Sequence, residues 1–139
     1  MVYKRYGDTV LLRLEPNDEI IESIKTVAAK EKITAAEMSG IGATNDFTVG
    51  IFDVAKKSYN EFHFCDDYEI TSIMGNICSV GGSPYVHAHI TCATEGGEVF
   101  GGHLLRAVIS LTAEIVIKII PANVTRKRDE TLGINLWDF

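Results

Sequence analysis

The segment YEITSIMGNICSVGGSPYVHAHITCATEGGEVFGGHLLRAVISLTAEIVIK, residues 68–118, holds three of the four histidines and most of the glycines. Gly81-Gly82-Ser83-Pro84 and Thr94–Gly97 are turn chemistry, so the segment predicts strand, turn, strand, turn, strand. Residues i and i+2 of a strand share a face. His87 and His89 therefore project side by side, with Ala88 and Ile90 facing the other way. His103 follows Gly101-Gly102, and glycines let one backbone approach another closely. Three imidazoles brought together make the protein ligand number of an open zinc site, with one position left for water or substrate.

Outward from this segment, Tyr68–Cys78, Tyr85–Ala93, Val99–Leu104, Val108-Ile109 and Ala113–Ile120 read as strands, and Pro121 ends the last. Upstream, Val10–Leu14 reads as a first strand broken by Glu15-Pro16. Asn17 or Asp18 is the expected helix cap. Ile20, Ile21, Ile24, Val27 and Ala28 recur at helical spacing, predicting an amphipathic helix over about 18–30. Ile33–Met38 re-enters the sheet and ends in the turn SGIGAT, where Gly40 and Gly42 permit unusual dihedrals or close packing. Phe47–Asp53 and Ser58–Phe64 form a hairpin joined by VAKK. His63 lies on a mixed face of its second arm, as a lone strand histidine at the solvent edge. Downstream, Arg126-Lys127-Arg128 with Asp129-Glu130 reads as a solvated turn. LGINLWDF is apolar enough to form a final strand against the sheet or a neighbouring subunit. The pattern predicts one α+β domain over residues 1–139. It is built on a largely antiparallel sheet, open to curling into a barrel, with one or two covering helices.

Composition narrows the function classes. No apolar run approaches the roughly 20 residues a membrane-spanning helix needs. Charges interrupt MVYKRYGDTV before any signal-peptide core forms, so a cytoplasmic location is expected. Cys65, Cys78 and Cys92 are odd in number and form no CxxC pair, so reduced, partly buried thiols are expected. The net charge is −6. A surface that neutralises nucleic-acid phosphates normally carries a basic excess, and here only short patches such as Lys4-Arg5, Lys56-Lys57 and Arg126–Arg128 offer one.

YEITSIMGNI, GGSPYVHAHIT and GGHLLRAVISLTAEI, at their spacings, resemble the plant-and-prokaryote conserved (PPC) domain family. Weaker similarity runs upstream through SGIGAT and FTVGIFD. In plants this domain follows AT-hook DNA-binding motifs. The resemblance implies a PPC-like fold and a homotrimer, and among the candidate ligands only His87, His89 and His103 match the family's motif. The fold also looks remotely similar to that of acetolactate decarboxylase, whose zinc is held by three histidines.

Two function classes follow. One is a stand-alone binding module, associated with DNA or with transcription proteins, in which a metal at His87, His89 and His103 is structural or regulatory. No RGRP AT-hook core occurs in the chain and its charge is acidic, which argues against sequence-specific DNA contact. The other is an enzyme using zinc or another divalent metal on a small carbonyl or carboxylate substrate. Glu69, Glu98 or Glu114 would then add a carboxylate to the histidines, and Arg106 would hold a substrate carboxylate or else form a salt bridge. The alternative to both is three unmetallated histidines lining a cleft.

Overall fold

The alternation along residues 83–93 decides where the core lies. Val86, Ala88, Ile90 and Cys92 are all buried, while His87, His89 and Thr91 face the other side of the same strand. A computed structural model, describing residues 1–139, extends this pattern into one sheet of nine strands. The strands are β1 (Val2–Tyr6), β2 (Thr9–Leu14), β3 (Ala36–Asp53), β4 (Ser58–Phe64), β5 (Tyr68–Val80), β6 (Ser83–Ala93), β7 (Val99–Ile119), β8 (Thr125–Asp129) and β9 (Ile134–Asp138). A single helix, α1 (Ile20–Glu31), follows β2.

The sheet runs β1-β2-β7-β3-β5-β8-β9, with β4 added to β3. β6 pairs with both β5 and β7, so β3, β5, β6 and β7 close a ring of four strands rather than a barrel. Every pairing is antiparallel except the short contact of β5 with β8 at Ser79 and Thr125. Ile73, Ile77, Ala88, Ile90, Ile109 and Ile115 fill the ring's apolar side. α1 packs against β6 and β7 through Ile20, Ile21, Ile24, Val27 and Ala28, the face its spacing predicts. No helix is long and apolar enough to cross a membrane.

Several boundaries differ from the sequence reading, each for a local reason. MVYKRY is not idle: residues 2–6 pair with β2 around Gly7, whose φ of 62° lies in the left-handed region. The helix cap is Glu19, one residue past the expected pair. Its carboxylate accepts the Glu22 N–H at 2.7 Å and the Ala107 N–H at 3.0 Å, tying the helix start to β7. Asp18 instead accepts the Glu15 N–H. SGIGAT is strand interior, not a turn. A Cβ at Gly42 would stand 2.4 Å from the Thr112 carbonyl oxygen and 2.7 Å from Ala113 Cα, so glycine there permits close strand approach. The three strands expected between 99 and 120 are one 21-residue strand, β7, which changes neighbours along its length and absorbs the change in bulges. The Arg126–Arg128 run is strand β8, hairpinned to β9.

Candidate metal centre

His87 and His89 lie on one face of β6, and His89 stands directly opposite His103 on β7. Strand pairing alone thus brings together residues 14 and 16 positions apart. The ring centroids are 5.6 Å apart for His87 and His89, 5.2 Å for His87 and His103, and 5.6 Å for His89 and His103. One nitrogen from each ring lies within 4.8 Å of the others. Two imidazole nitrogens on one tetrahedral zinc are about 3.3 Å apart, so modest ring rotation closes the set. His89 is exposed, while His87 and His103 are half-buried. Tyr59 of β4 stacks on His103 with centroids 4.8 Å apart and planes inclined by 20°.

The surroundings favour the neutral form of His87 and His103. Burial pushes His103 down to about 4, with His87, His89 and Arg126 adding to the fall. Burial, then Arg126 and His89, lowers His87 as well. A neutral imidazole is the form that ligates a metal. His103 Nδ1 is buried without any hydrogen-bond partner. An orphaned buried ring nitrogen is costly unless something occupies its lone pair or takes its proton. The donor set and this orphaned atom together fit a divalent cation such as zinc.

Arg126 is the residue that the sequence reading did not anticipate. Its guanidinium reaches from β8 to donate to Cys78 Sγ (3.1 Å), the Asn135 carbonyl (2.8 Å), Asn76 Oδ1 (3.0 Å) and His87 Nδ1 (3.2 Å). It also lies over the Tyr85 ring at 5.2 Å. A guanidinium only donates, so His87 Nδ1 accepts and neutral His87 carries its proton on Nε2. A metal claiming His87 must compete with Arg126 for that tautomer. A cavity of about 180 Å³ adjoins the set, lined by Tyr59, Tyr85, His87, His103, Arg126 and Arg128, among others. The hint in the sequence was V-T-R-K-R-D before T-L-G-I-N-L-W, a hairpin pattern masked by its charge.

The other candidates fall elsewhere. No carboxylate shares the histidine cluster. Glu114 sits across from Arg13 and Ile41, Glu69 across from Ala93 and Ala43, and Glu98 closes the 94–98 turn. Arg106 is bound within the chain, with its Nη1 2.6 Å from Asp46 Oδ2. His63 Nε2 is 2.9 Å from Asp46 Oδ1. Cys78 and Cys92 are buried free thiols, as expected, but Cys65 is exposed.

Comparison with known proteins extends the picture. A family model for the Plants and Prokaryotes Conserved (PCC) domain matches residues 1–121. A "putative DNA-binding protein" from Bacteroides thetaiotaomicron is 28% identical, with a TM-score of 0.95 over 99% of this chain and 96% of that one. A metal-containing protein from Archaeoglobus fulgidus is 30% identical, with a TM-score of 0.88 over 100% of this chain and 99% of the other. Acetolactate decarboxylase from Bacillus subtilis shares the fold alone, at 16% identity and a TM-score of 0.56, over 79% of this chain and 52% of that one. Among curated sequences, the bifunctional protein GlmU of a Synechococcus strain is 28% identical over 88% of the chain, and this chain spans only 18% of its length.

Proposed function

Because this chain belongs to the Plants and Prokaryotes Conserved (PPC) domain family, we propose that residues 1–139 act as one stand-alone binding module of that family, associated with DNA or a regulatory partner, assembled as a homotrimer and carrying a metal at His87, His89 and His103. The observation that carries the metal is the orphaned His103 Nδ1 in a cluster of three imidazoles. The metal-containing relative supports it. When bound, zinc there would brace β6 against β7 and offer an open coordination position.

Two surface features support the rest. Ile41, Met74, Leu111 and Val116 expose 59%, 63%, 70% and 43% of their surface along one side of the sheet. Contiguous apolar residues of this kind mark an interface, and a second copy of the chain is the expected cover. The fold also joins basic stretches far apart in sequence. Lys57 Nζ donates to the Glu130 carbonyl, which brings the Lys56-Lys57 turn against the β8–β9 turn that follows Lys127 and Arg128, with Lys56 paired to Asp53 and Arg128 to Glu130. This local cluster, not the net charge, is the phosphate-binding candidate, and the DNA-binding description of a relative agrees with it.

Metal analysis after purification, with thermal unfolding plus and minus zinc, tests the site. Wild type should carry or take up zinc and melt higher with it, while His89→Ala loses that gain and keeps its oligomeric state. Zinc at about 100 times its dissociation constant adds about 2.7 kcal/mol. No metal and no shift would end this reading. For DNA, duplex titrations at several salt concentrations should show affinity falling as salt rises, and falling again when Lys57 and Lys127 become Gln. A constant affinity, or none at low salt, removes the DNA contact.

A second reading has its own observation, the cavity beside His87 and His103 with Arg126 and two tyrosines on its wall. Under it the chain is a metal-dependent enzyme on a small carbonyl or carboxylate substrate. The tyrosine hydroxyls would orient the substrate, and the size of the cavity restricts it to a few heavy atoms. A bound zinc would supply carbonyl polarisation or an acidified water.

A further inference from the structure

Away from the three histidines, the exposed face of β3, β4 and β7 gathers a second set of ligating atoms. Thr48 of β3 stands opposite His63 on one side and Arg106 on the other. Asp46, two residues earlier, follows a break in register between Thr44 and Asp46 that turns its carboxylate toward both. Cys65 comes immediately after β4. Three different donor types thus converge from two chain segments: Asp46 Oδ1, His63 Nε2 and Cys65 Sγ.

The distances are specific. His63 Nε2 lies 2.9 Å from Asp46 Oδ1 and 3.2 Å from Cys65 Sγ. The same ring nitrogen faces both neighbours, yet a single N–H, or a single lone pair, makes only one good hydrogen bond. A cation at the centre satisfies all three at once. On a tetrahedral zinc, nitrogen and oxygen ligands are about 3.4 Å apart and nitrogen and sulfur about 3.6 Å apart. Each observed gap therefore needs to open by only about half an ångström. Asp46 Oδ2 is already held by Arg106 at 2.6 Å. That leaves Oδ1 as the ligating oxygen, oriented by a neighbour as metal-bound carboxylates are.

We propose that Asp46, His63 and Cys65 form a second metal site, taking a borderline divalent cation such as zinc through one oxygen, one nitrogen and one sulfur. Sulfur and imidazole select zinc over magnesium or calcium. Binding deprotonates the Cys65 thiol and releases that proton to solvent. His63 is four residues from Tyr59, which stacks on His103, so the two sites lie about 13 Å apart along β4. This site stands or falls independently of the three-histidine set.

Cobalt(II), a spectroscopic stand-in for zinc, separates the two. Protein stripped with chelator is titrated with cobalt(II) while the thiolate-to-cobalt charge-transfer band is followed. The three histidines contain no sulfur and cannot produce it. Wild type should develop the band with one cobalt per chain responsible, and His89→Ala should keep it. Cys65→Ser and His63→Ala should both lose it. Excess zinc should also slow alkylation of Cys65 in the wild type by more than tenfold. Absence of the band, its survival in Cys65→Ser, one cobalt shared between chains, or alkylation indifferent to zinc would each overturn the site. Circular dichroism of each variant confirms that the fold is retained.

Discussion

Replacing Gly75 with Ala tests how tightly the fold holds the histidine strand. Gly75 on β5 stands opposite Ala88 on β6, between His87 and His89. An added Cβ would lie 2.3 Å from the His87 carbonyl oxygen, 2.8 Å from Ala88 Cα and 3.0 Å from Ala88 Cβ. None of these atoms is the tip of a flexible side chain, so the strands themselves must part. Carbon and carbonyl oxygen rest at about 3.3 Å, so β5 and β6 must separate by about 1 Å. Ladder hydrogen bonds of about 2.9 Å then stretch past the range in which they hold. Two weakened bonds at about 1 kcal/mol each, with a similar overpacking strain, come to about 3 kcal/mol. For a chain of this size that lowers Tm by about 10 °C. Gly96→Ala is the control: its Cβ would meet only Thr94 Oγ1, at 3.7 Å, and its backbone needs no left-handed φ. The control should change stability by less than about 0.5 kcal/mol. Urea unfolding of the two variants and the wild type measures both effects. If Gly75→Ala unfolds at the same midpoint as Gly96→Ala, the close approach of β5 and β6 is wrong, and so is the placement of His87 and His89 that depends on it.

Two further outcomes follow from the buried groups. His103 titrates at about 4 when folded against 6.5 when free, so between those values the unfolded chain binds the extra proton. Its stabilising contribution is complete above the free value and is lost as pH falls through that window; the full difference is about 3 kcal/mol, cut to about 1–2 kcal/mol by the water that reaches a half-buried ring. In chelator, the urea midpoint of the wild type should therefore drop from pH 7 to pH 4.5 by more than that of His103→Gln; equal drops refute the assignment. Cys92 is pushed up to about 12 by burial, and Cys78 is buried too, while Cys65 is exposed. A thiol reagent should label one cysteine in native, chelated protein and all three in denaturant, and Cys65→Ser should abolish the native reaction; labelling that survives this change contradicts the burial pattern.

The parts of the fold legible in the sequence were those set by period and punctuation. The alternation through Val86, Ala88, Ile90 and Cys92 placed His87 and His89 on the other face, as the structure has them. VAKK joined β3 and β4 in the register that pairs Phe47 with Phe64 and Asp53 with Ser58. The same signals misled where glycine was taken as an ending. Gly40 and Gly42 lie inside β3, because two strands packed against a bulge need missing side chains more than a turn needs free dihedrals. β7 was read as three pieces because its register against β3 shifts near Thr44 and again near Thr48, and a bulge leaves no mark in a local pattern.

The site itself divides in the same way. The spacing of His87 and His89 is a local fact, so a single strand's geometry placed the pair correctly. Their union with His103 depends on the register of β6 against β7, which is fixed by the turn at 94–98 and by packing around Cys92 and Phe100. Arg126 depends on more still: β8 must reach the edge of β5 by one parallel contact at Ser79. A run such as R-K-R-D-E gains nothing visible from that contact in sequence, since its charges suit water equally well. The residue that governs the His87 tautomer therefore belongs to the piece of chain beyond the family match, which ends at residue 121. Relatives sharing the three histidines without this hairpin would present the His87 ring with a different hydrogen-bond partner.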